Sequence, residues 1–181
     1  MCTSGFAVKN SAGTRFMVTA GHCFLSGQSA WSTGGGGSFG SVVSRFNYPN
    51  YDMELLGNGS YGPYIYEGNA TGYGTHVISA GDPGVTGYTY CSSGQTSTES
   101  CDHTVLSLTA TVCAYGSLGC SYGDIAASNT SVTYGDSGSP FFYTSGGQAY
   151  IRGLTIAISP NTMYAEKWSS VANHFGVSIL T

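Results

Sequence analysis

Apart from one stretch near its C-terminus, the chain sustains no helical repeat of apolar residues. It is a succession of short β-branched runs cut by glycine, asparagine and proline. Gly5-Phe6-Ala7-Val8, the turn Asn10-Ser11-Ala12-Gly13 and the run Arg15-Phe16-Met17-Val18-Thr19-Ala20 read as a hairpin. A glycine-rich loop over residues 34–37 precedes a strand over 40–46, and Tyr48-Pro49-Asn50-Tyr51 turns the chain before Asp52-Met53-Glu54-Leu55-Leu56. Further strands are expected over 86–90, 104–112 and 149–158, and strands at this spacing point to an all-β sandwich or barrel. The segment from 57 to 87 is rich in Gly, Tyr, Asn and Ser, which suits a crossing between two lobes. The exception is residues 165–175, where Trp168, Val171, Ala172 and Phe175 share one helical face and Gly176 follows as a C-cap.

Composition narrows the class of protein. Charged residues are 8% of the chain, too few for a helical bundle or coiled coil, while the apolar fraction of 41% is too high for a disordered one. Five basic residues and a formal charge of -4 argue against a nucleic-acid partner. No apolar run approaches the ~18 residues that a membrane helix needs, and a monomer is expected. Six cysteines, an even number without the paired close spacing of a zinc site, point to disulfides and an oxidising compartment. The chain opens Met1-Cys2 with neither the basic nor the apolar segment of a secretion signal. If it is secreted, its leader and any pro-segment have been removed.

Chemistry concentrates in three turns. Gly135-Asp136-Ser137-Gly138 leads into the apolar strand Pro140-Phe141-Phe142-Tyr143, and its glycines allow a sharp turn that presents one hydroxyl. The same turn would aim the amides of Gly135 and Ser137 at one point, as an oxyanion site requires. Taken alone, the run also suits a plain glycine-rich hairpin loop. A serine hydroxyl needs a base, and an imidazole with a carboxylate behind it supplies one. His22, at a strand end, and Asp52, at a strand start, are the candidates. His22 could instead be a structural histidine beside a disulfide, and Asp52 a turn-forming aspartate. Asp82, Asp102 and Asp124 are rival acids, each in a turn-like sequence with no hydrophobic strand behind it.

Four segments together resemble the secreted chymotrypsin-like bacterial serine proteases of the streptogrisin and α-lytic protease group. They are Cys2-x-x-Gly5-Phe6, Thr19-Ala20-Gly21-His22-Cys23, Pro49-Asn50-Tyr51-Asp52 and Gly135-Asp136-Ser137-Gly138. Cys91-Ser92-Ser93-Gly94-Gln95-Thr96 and Phe175-Gly176-Val177-Ser178 are similar to that family's second lobe and C-terminus. The resemblance implies an all-β fold of two six-stranded antiparallel β-barrels with a short C-terminal helix. Residues 1–72 would carry His22 and Asp52, and residues 73–181 would carry Ser137 and the specificity pocket. It further implies an extracellular endopeptidase acting on protein or peptide substrates through an acyl-enzyme on Ser137, with no cofactor and no metal. Similar enzymes are secreted by plant-associated actinobacteria as virulence factors. In that fold Cys2 would pair with Cys23 and Cys91 with Cys101, which leaves Cys113 with Cys120, a bridge the family pattern does not lead one to expect.

The departures from the pattern bear on specificity. The cysteines that usually flank the Gly-Asp-Ser-Gly run are missing, and Ser92 stands where an arginine usually pairs with the buried Asp136. Arg152, Arg45 or backbone amides are the alternatives. After Gly153-Leu154-Thr155 the family reads Ser-Gly-Gly or Ser-Trp-Gly, whereas this chain reads Ile156-Ala157-Ile158. The serine that would hydrogen-bond the triad acid is therefore absent, and Ile158 is expected to intrude on the pocket, unless the strand is shifted in register. The primary pocket would be formed by Ser131, Val132, Thr133 and Tyr134 with Ile156, Ala157 and Ile158. No carboxylate lies at its base, which disfavours basic substrates, and Thr155 stands where glutamyl-specific relatives use a histidine.

Overall fold

The structure is a computed structural model, described for residues 1–32, 37–66, 74–114 and 119–181. The expected lobe boundary at 72/73 and most of the glycine loop at 34–37 lie outside the described residues.

Two sheets, antiparallel except for one parallel pair in the second, account for most of the described chain. The first is formed by β1 (Ala7–Lys9), β2 (Arg15–Thr19), β3 (Ser29–Trp31), β4 (Ser38–Phe46) and β5 (Met53–Gly57). The second takes β6 (Tyr64–Tyr66), β7 (Gly74–Ala80), β8 (Thr89–Gly94), β9 (Thr98–Cys113), β10 (Cys120–Ser128), β11 (Pro140–Ser145), β12 (Gln148–Ser159) and β13 (Thr162–Lys167). The helix α1 (Trp168–Phe175) follows, and β14 (Ser178–Ile179) returns to pair with β1, giving the order β14-β1-β2-β5-β4-β3 in the first sheet. In the second sheet β11-β8-β9-β10-β13-β12 closes into a ring through the β11–β12 pairing, and β7 and β6 extend from β12. The closed ring leaves no unpaired edge among its six strands.

Several local expectations give way to tertiary pairing. The crossing segment contains β6 and β7, which are recruited to the second sheet, with β7 running parallel to β12. The strand expected at 86–90 begins at Thr89, since residues 85–87 bend and turn the chain. The helix expected from residue 165 begins at Trp168. Ala165 pairs with Thr155 and Ile125, and ladder bonds on both sides of β13 outweigh the helical pattern there. Asp102 and Asp124 lie inside β9 and β10 rather than in turns. Asp82 accepts hydrogen bonds from the Ser169 amide (2.8 Å) and hydroxyl (2.5 Å), satisfying a first-turn amide of α1.

The packing explains the order of elements. Phe6, Val18, Leu55, Ile151, Leu154 and Val171 share one core that joins both sheets and the helix. Trp168 and Phe175 pack on it from α1, and Gly176 ends the helix at φ 63°, a left-handed position that suits glycine. The ring has its own core around Tyr90, Val105, Ile125, Phe141 and Met163. Each fully buried Phe, Leu or Ile contributes roughly 1.5–3 kcal/mol. All six cysteines are paired, Cys2–Cys23, Cys91–Cys101 and Cys113–Cys120, the last two tying β8 to β9 and β9 to β10.

Candidate active site

His22 is held by a turn that only glycine permits. A Cβ on Gly21 would lie 2.7 Å from the Met53 amide nitrogen and from the Phe46 carbonyl, so the chain leaving β2 can press against β5 only with glycine there. Asp52 immediately precedes β5 and is fully buried. Its carboxylate grips His22 twice, accepting the backbone N–H at 2.7 Å and facing ring Nδ1 at 2.6 Å. The ring edge bearing Nε2 is thereby turned away from Asp52, and the His22 side chain is 38% exposed. Burial first, then the nearby Asp52 charge, holds the Tyr48 phenol well above its usual range. The Asp52 amide donates to Glu166 Oε2 at 3.1 Å, linking β5 to β13.

Ser137 sits on a loop locked by its neighbours. Gly135 and Gly138 adopt φ 101° and 92°, and a Cβ on Gly138 would lie 2.2 Å from the Thr3 carbonyl. Thr3 clamps the loop from the first lobe, its amide donating to the Ser137 carbonyl at 2.8 Å and its hydroxyl to the Gly135 carbonyl at 2.9 Å. The Gly138 amide donates to the Thr155 carbonyl at 2.8 Å. Among the described residues the amides of Gly135 and Ser137 donate no hydrogen bond, so both are available to an incoming oxygen.

Backbone amides, not an arginine, satisfy the buried Asp136. Its Oδ1 accepts Thr96 N–H (2.8 Å) and Ser97 N–H (3.2 Å), and its Oδ2 accepts Thr133 N–H (2.9 Å). Three amide donors can hold an ionised carboxylate without a cation. Arg152 instead donates to the Gly81 carbonyl and lies over the Tyr143 ring, while Arg45 donates to the Gly21 carbonyl and faces Glu54 at 3.6 Å. Ser92 hydrogen-bonds His103 Nε2 at 2.9 Å. This close seat carries a prediction, because a Cβ on Gly94 would lie 2.1 Å from Asp136 Oδ1. Gly94→Ala is expected to destabilise the fold by about 2 kcal/mol or more. Urea unfolding against Gly84→Ala, where a Cβ meets nothing within 4 Å, measures it. Equal midpoints for the two variants would contradict the seat.

His22, Tyr134, Gly135 and Ser137 border one cavity of about 790 Å³, together with Thr96 and the Cys2–Cys23 disulfide. Among the described residues no hydrogen bond joins His22 Nε2 to Ser137 Oγ, a contact that commonly tightens only when substrate is bound. A more apolar cavity of about 530 Å³, against Phe24, Trp31, Phe39 and Tyr66, contains none of the three candidate residues. Of the seven residues expected to form the primary pocket, only Tyr134, 87% exposed, borders the cavity beside Ser137. Val132 is buried in the core of the ring, and Ile158 packs against that same cluster. Ser131 is half-buried and Thr133 exposed, its amide committed to Asp136. Ile156 is buried against Ala20 and Val112, with Ala157 packed beside it, where the β12–β13 register shifts between Thr155 and Ala157.

Sequence reasoning weighed Asp124 only as a rival acid and missed Glu54 and Glu166 behind the site. Asp124 and Glu166 are fully buried. Burial, then the nearby Glu166 charge, pushes Asp124 up to about 7, and burial raises Glu166 as well. Glu54 is pushed up to about 8, since desolvation outweighs Arg45. The available signal was an acid inside an apolar strand, as in Asp124-Ile125-Ala126-Ala127. Two groups of potential metal ligands, Cys2/His22/Cys23 and Cys91/Glu99/Cys101, are each built on a disulfide, whose sulfurs are not free thiolates.

No protein-family model matches the chain, and no curated protein does. Solved structures do. Nocardiopsis protease is 24% identical with a TM-score of 0.79, over 99% of this chain and 93% of that one. Thermobifida fusca protease A is 25% identical with a TM-score of 0.77, over 99% and 91%. A glutamic acid-specific serine protease that uses a histidine triad in substrate binding is 21% identical with a TM-score of 0.79, over 98% and 92%. Two sheets of matching arrangement along nearly the whole chain give this protein the fold of the chymotrypsin-like bacterial serine proteases.

Proposed function

We propose that the protein is an extracellular serine endopeptidase that cleaves peptide bonds through an acyl-enzyme on Ser137. The observation that carries this reading is the two-point grip of Asp52 on His22, with the imidazole opening onto the cavity that Ser137 and Gly135 share. Asp52 holds Nδ1 protonated, so Nε2 is the lone-pair nitrogen that takes the Ser137 hydroxyl proton as Oγ attacks the carbonyl carbon. The carbonyl oxygen gains negative charge, which the free amides of Gly135 and Ser137 stabilise. Nε2–H then protonates the leaving amine, and water repeats the sequence to release the acid.

The primary pocket is restricted in this reading, because Ile158 and Val132 belong to one apolar packing group and leave no carboxylate between them. Small uncharged side chains are therefore preferred before the cleaved bond. The three disulfides support a role outside the cell.

The same packing favours a second reading, a protease-like binding protein with an occluded pocket, and one probe separates the two. A fluorophosphonate is expected to label the wild-type protein at neutral pH, whereas Ser137→Ala abolishes labelling. Wild-type protein that stays unlabelled beside a labelled control protease would overturn the endopeptidase reading. Labelling that survives in Ser137→Ala would remove Ser137 as the nucleophile.

A further inference from the structure

Asp52 lies on a loop of the first lobe whose contacts run largely to the second. The Asn50 amide donates to the Cys120 carbonyl at 2.8 Å, and residues 50 and 121 form an isolated parallel bridge. Asn50 takes φ 92°, a conformation that asparagine tolerates better than most residues. Two residues on, the Asp52 amide meets Glu166 Oε2 at 3.1 Å. The Ser121 hydroxyl lies within reach of three acceptors, the Asn50 carbonyl (3.3 Å), Asp124 Oδ1 (3.2 Å) and Glu166 Oε2 (3.4 Å). Ser121, Asp124 and Glu166 are all fully buried.

Burying a carboxyl group is expensive, and burying two beside Asp52 more so. One hydroxyl proton cannot satisfy three acceptors at once. A cluster of this kind has no role in the simple packing of β10 against β13, where two apolar residues would serve. Among the described residues its one direct bond to the reaction machinery is from the Asp52 amide. That amide sets the direction of the carboxylate that grips both the His22 backbone and its ring.

We propose that Glu166, supported by Ser121 and Asp124, is a positioning residue for Asp52, anchoring its backbone from the second lobe and so aligning His22 across the cleft. The inference rests on the endopeptidase reading for its kinetic consequence, but its geometry can be read without turnover. Glu166 touches neither substrate nor the reacting atoms and acts only through the Asp52 amide.

The test compares Glu166→Ala with Glu166→Gln, which keeps a carbonyl acceptor for the Asp52 amide while removing the titratable carboxyl. Glu166→Ala is expected to lower kcat on a peptide substrate by about 100-fold, with KM changed less than about twofold, because small misalignments of catalytic groups act on the chemical step. Glu166→Gln is expected to recover most of that loss. In parallel, the low-field proton resonance of the His22 Nδ1–H···Asp52 hydrogen bond should be present in wild type and Glu166→Gln, and broadened or displaced in Glu166→Ala. Wild-type kcat with an unmoved resonance in Glu166→Ala would overturn the proposal, as would a Glu166→Gln protein as impaired as the alanine variant in both measurements. Should the alanine variant not fold, Glu166→Gln with an intact resonance beside Glu166→Leu with a displaced one supports the proposal, and identical resonances in the two overturn it. Should wild type cleave no peptide, the endopeptidase reading falls, and the resonance alone decides the role of Glu166.

Discussion

Asp52→Asn is expected to lower kcat/KM by about 10⁴-fold at neutral pH while leaving the fold intact. The carboxylate accepts from the His22 amide and from His22 Nδ1. Asparagine has nearly the same volume, so the buried site needs little repacking. Its carbonyl can keep the His22 amide, but its NH2 group then faces Nδ1 and makes that nitrogen the acceptor. The ring proton moves to Nε2, which can no longer take the proton from Ser137 Oγ. The loss follows from the wrong tautomer, not from a displaced side chain. It is measured as kcat/KM on a peptide substrate, with near-ultraviolet circular dichroism to establish that tertiary packing is retained. A variant within tenfold of wild type would show that Asp52 does not set the state of His22.

The residues most legible from sequence were those whose neighbours have one physical reason to be there. Gly21 is required by contact with Met53, and Gly135 and Gly138 by their backbone angles, so the turns around His22 and Ser137 advertised themselves. The strand pattern and the terminal apolar face carried the fold class for the same reason. What stayed hidden depends on groups that every residue possesses or that arrive from far along the chain. Asp136 is held by main-chain amides of residues 96, 97 and 133, which no side-chain pattern encodes. Ile156, which reads from sequence as a pocket residue, is buried against Ala20 and Val112, both far from it along the chain. Glu166 looked like the polar start of a helix because Ala165-Glu166-Lys167 continues the helical pattern backwards from Trp168. Pairing with β10 and β12 decides otherwise and turns that side chain inward.

The buried acids also set how stability should respond to pH. Glu54 rises from its ordinary 4.5 to about 8, Asp124 from 3.8 to about 7, and Glu166 rises as well. In each, the folded protein keeps its proton at pH values where the unfolded chain has released it. Between the ordinary carboxylate range and pH 7–8 the folded state therefore binds more protons, so stability falls as pH rises. The contribution is fully present below the unfolded values and is lost by the time pH has passed the folded ones. At about 1.4 kcal/mol per unit, Glu54 alone accounts for a loss on the order of 3–5 kcal/mol across that window. For a chain of this length the melting temperature should drop by roughly 10 °C between pH 5 and pH 8.5. The measurement belongs in the Ser137→Ala background, where self-digestion cannot mimic unfolding. Glu54→Gln should remove a large part of the slope, since its amide has no proton to lose, and Asp124→Asn a smaller part. A melting temperature that is flat or rising over that range would mean that these carboxyls are ionised in the folded protein. The direction runs against that of the proposed chemistry, in which a histidine base works best once it has shed its proton. A protease built this way would gain activity and lose stability together as the medium turns alkaline, and its half-life in self-digestion should shorten on the same side of neutrality.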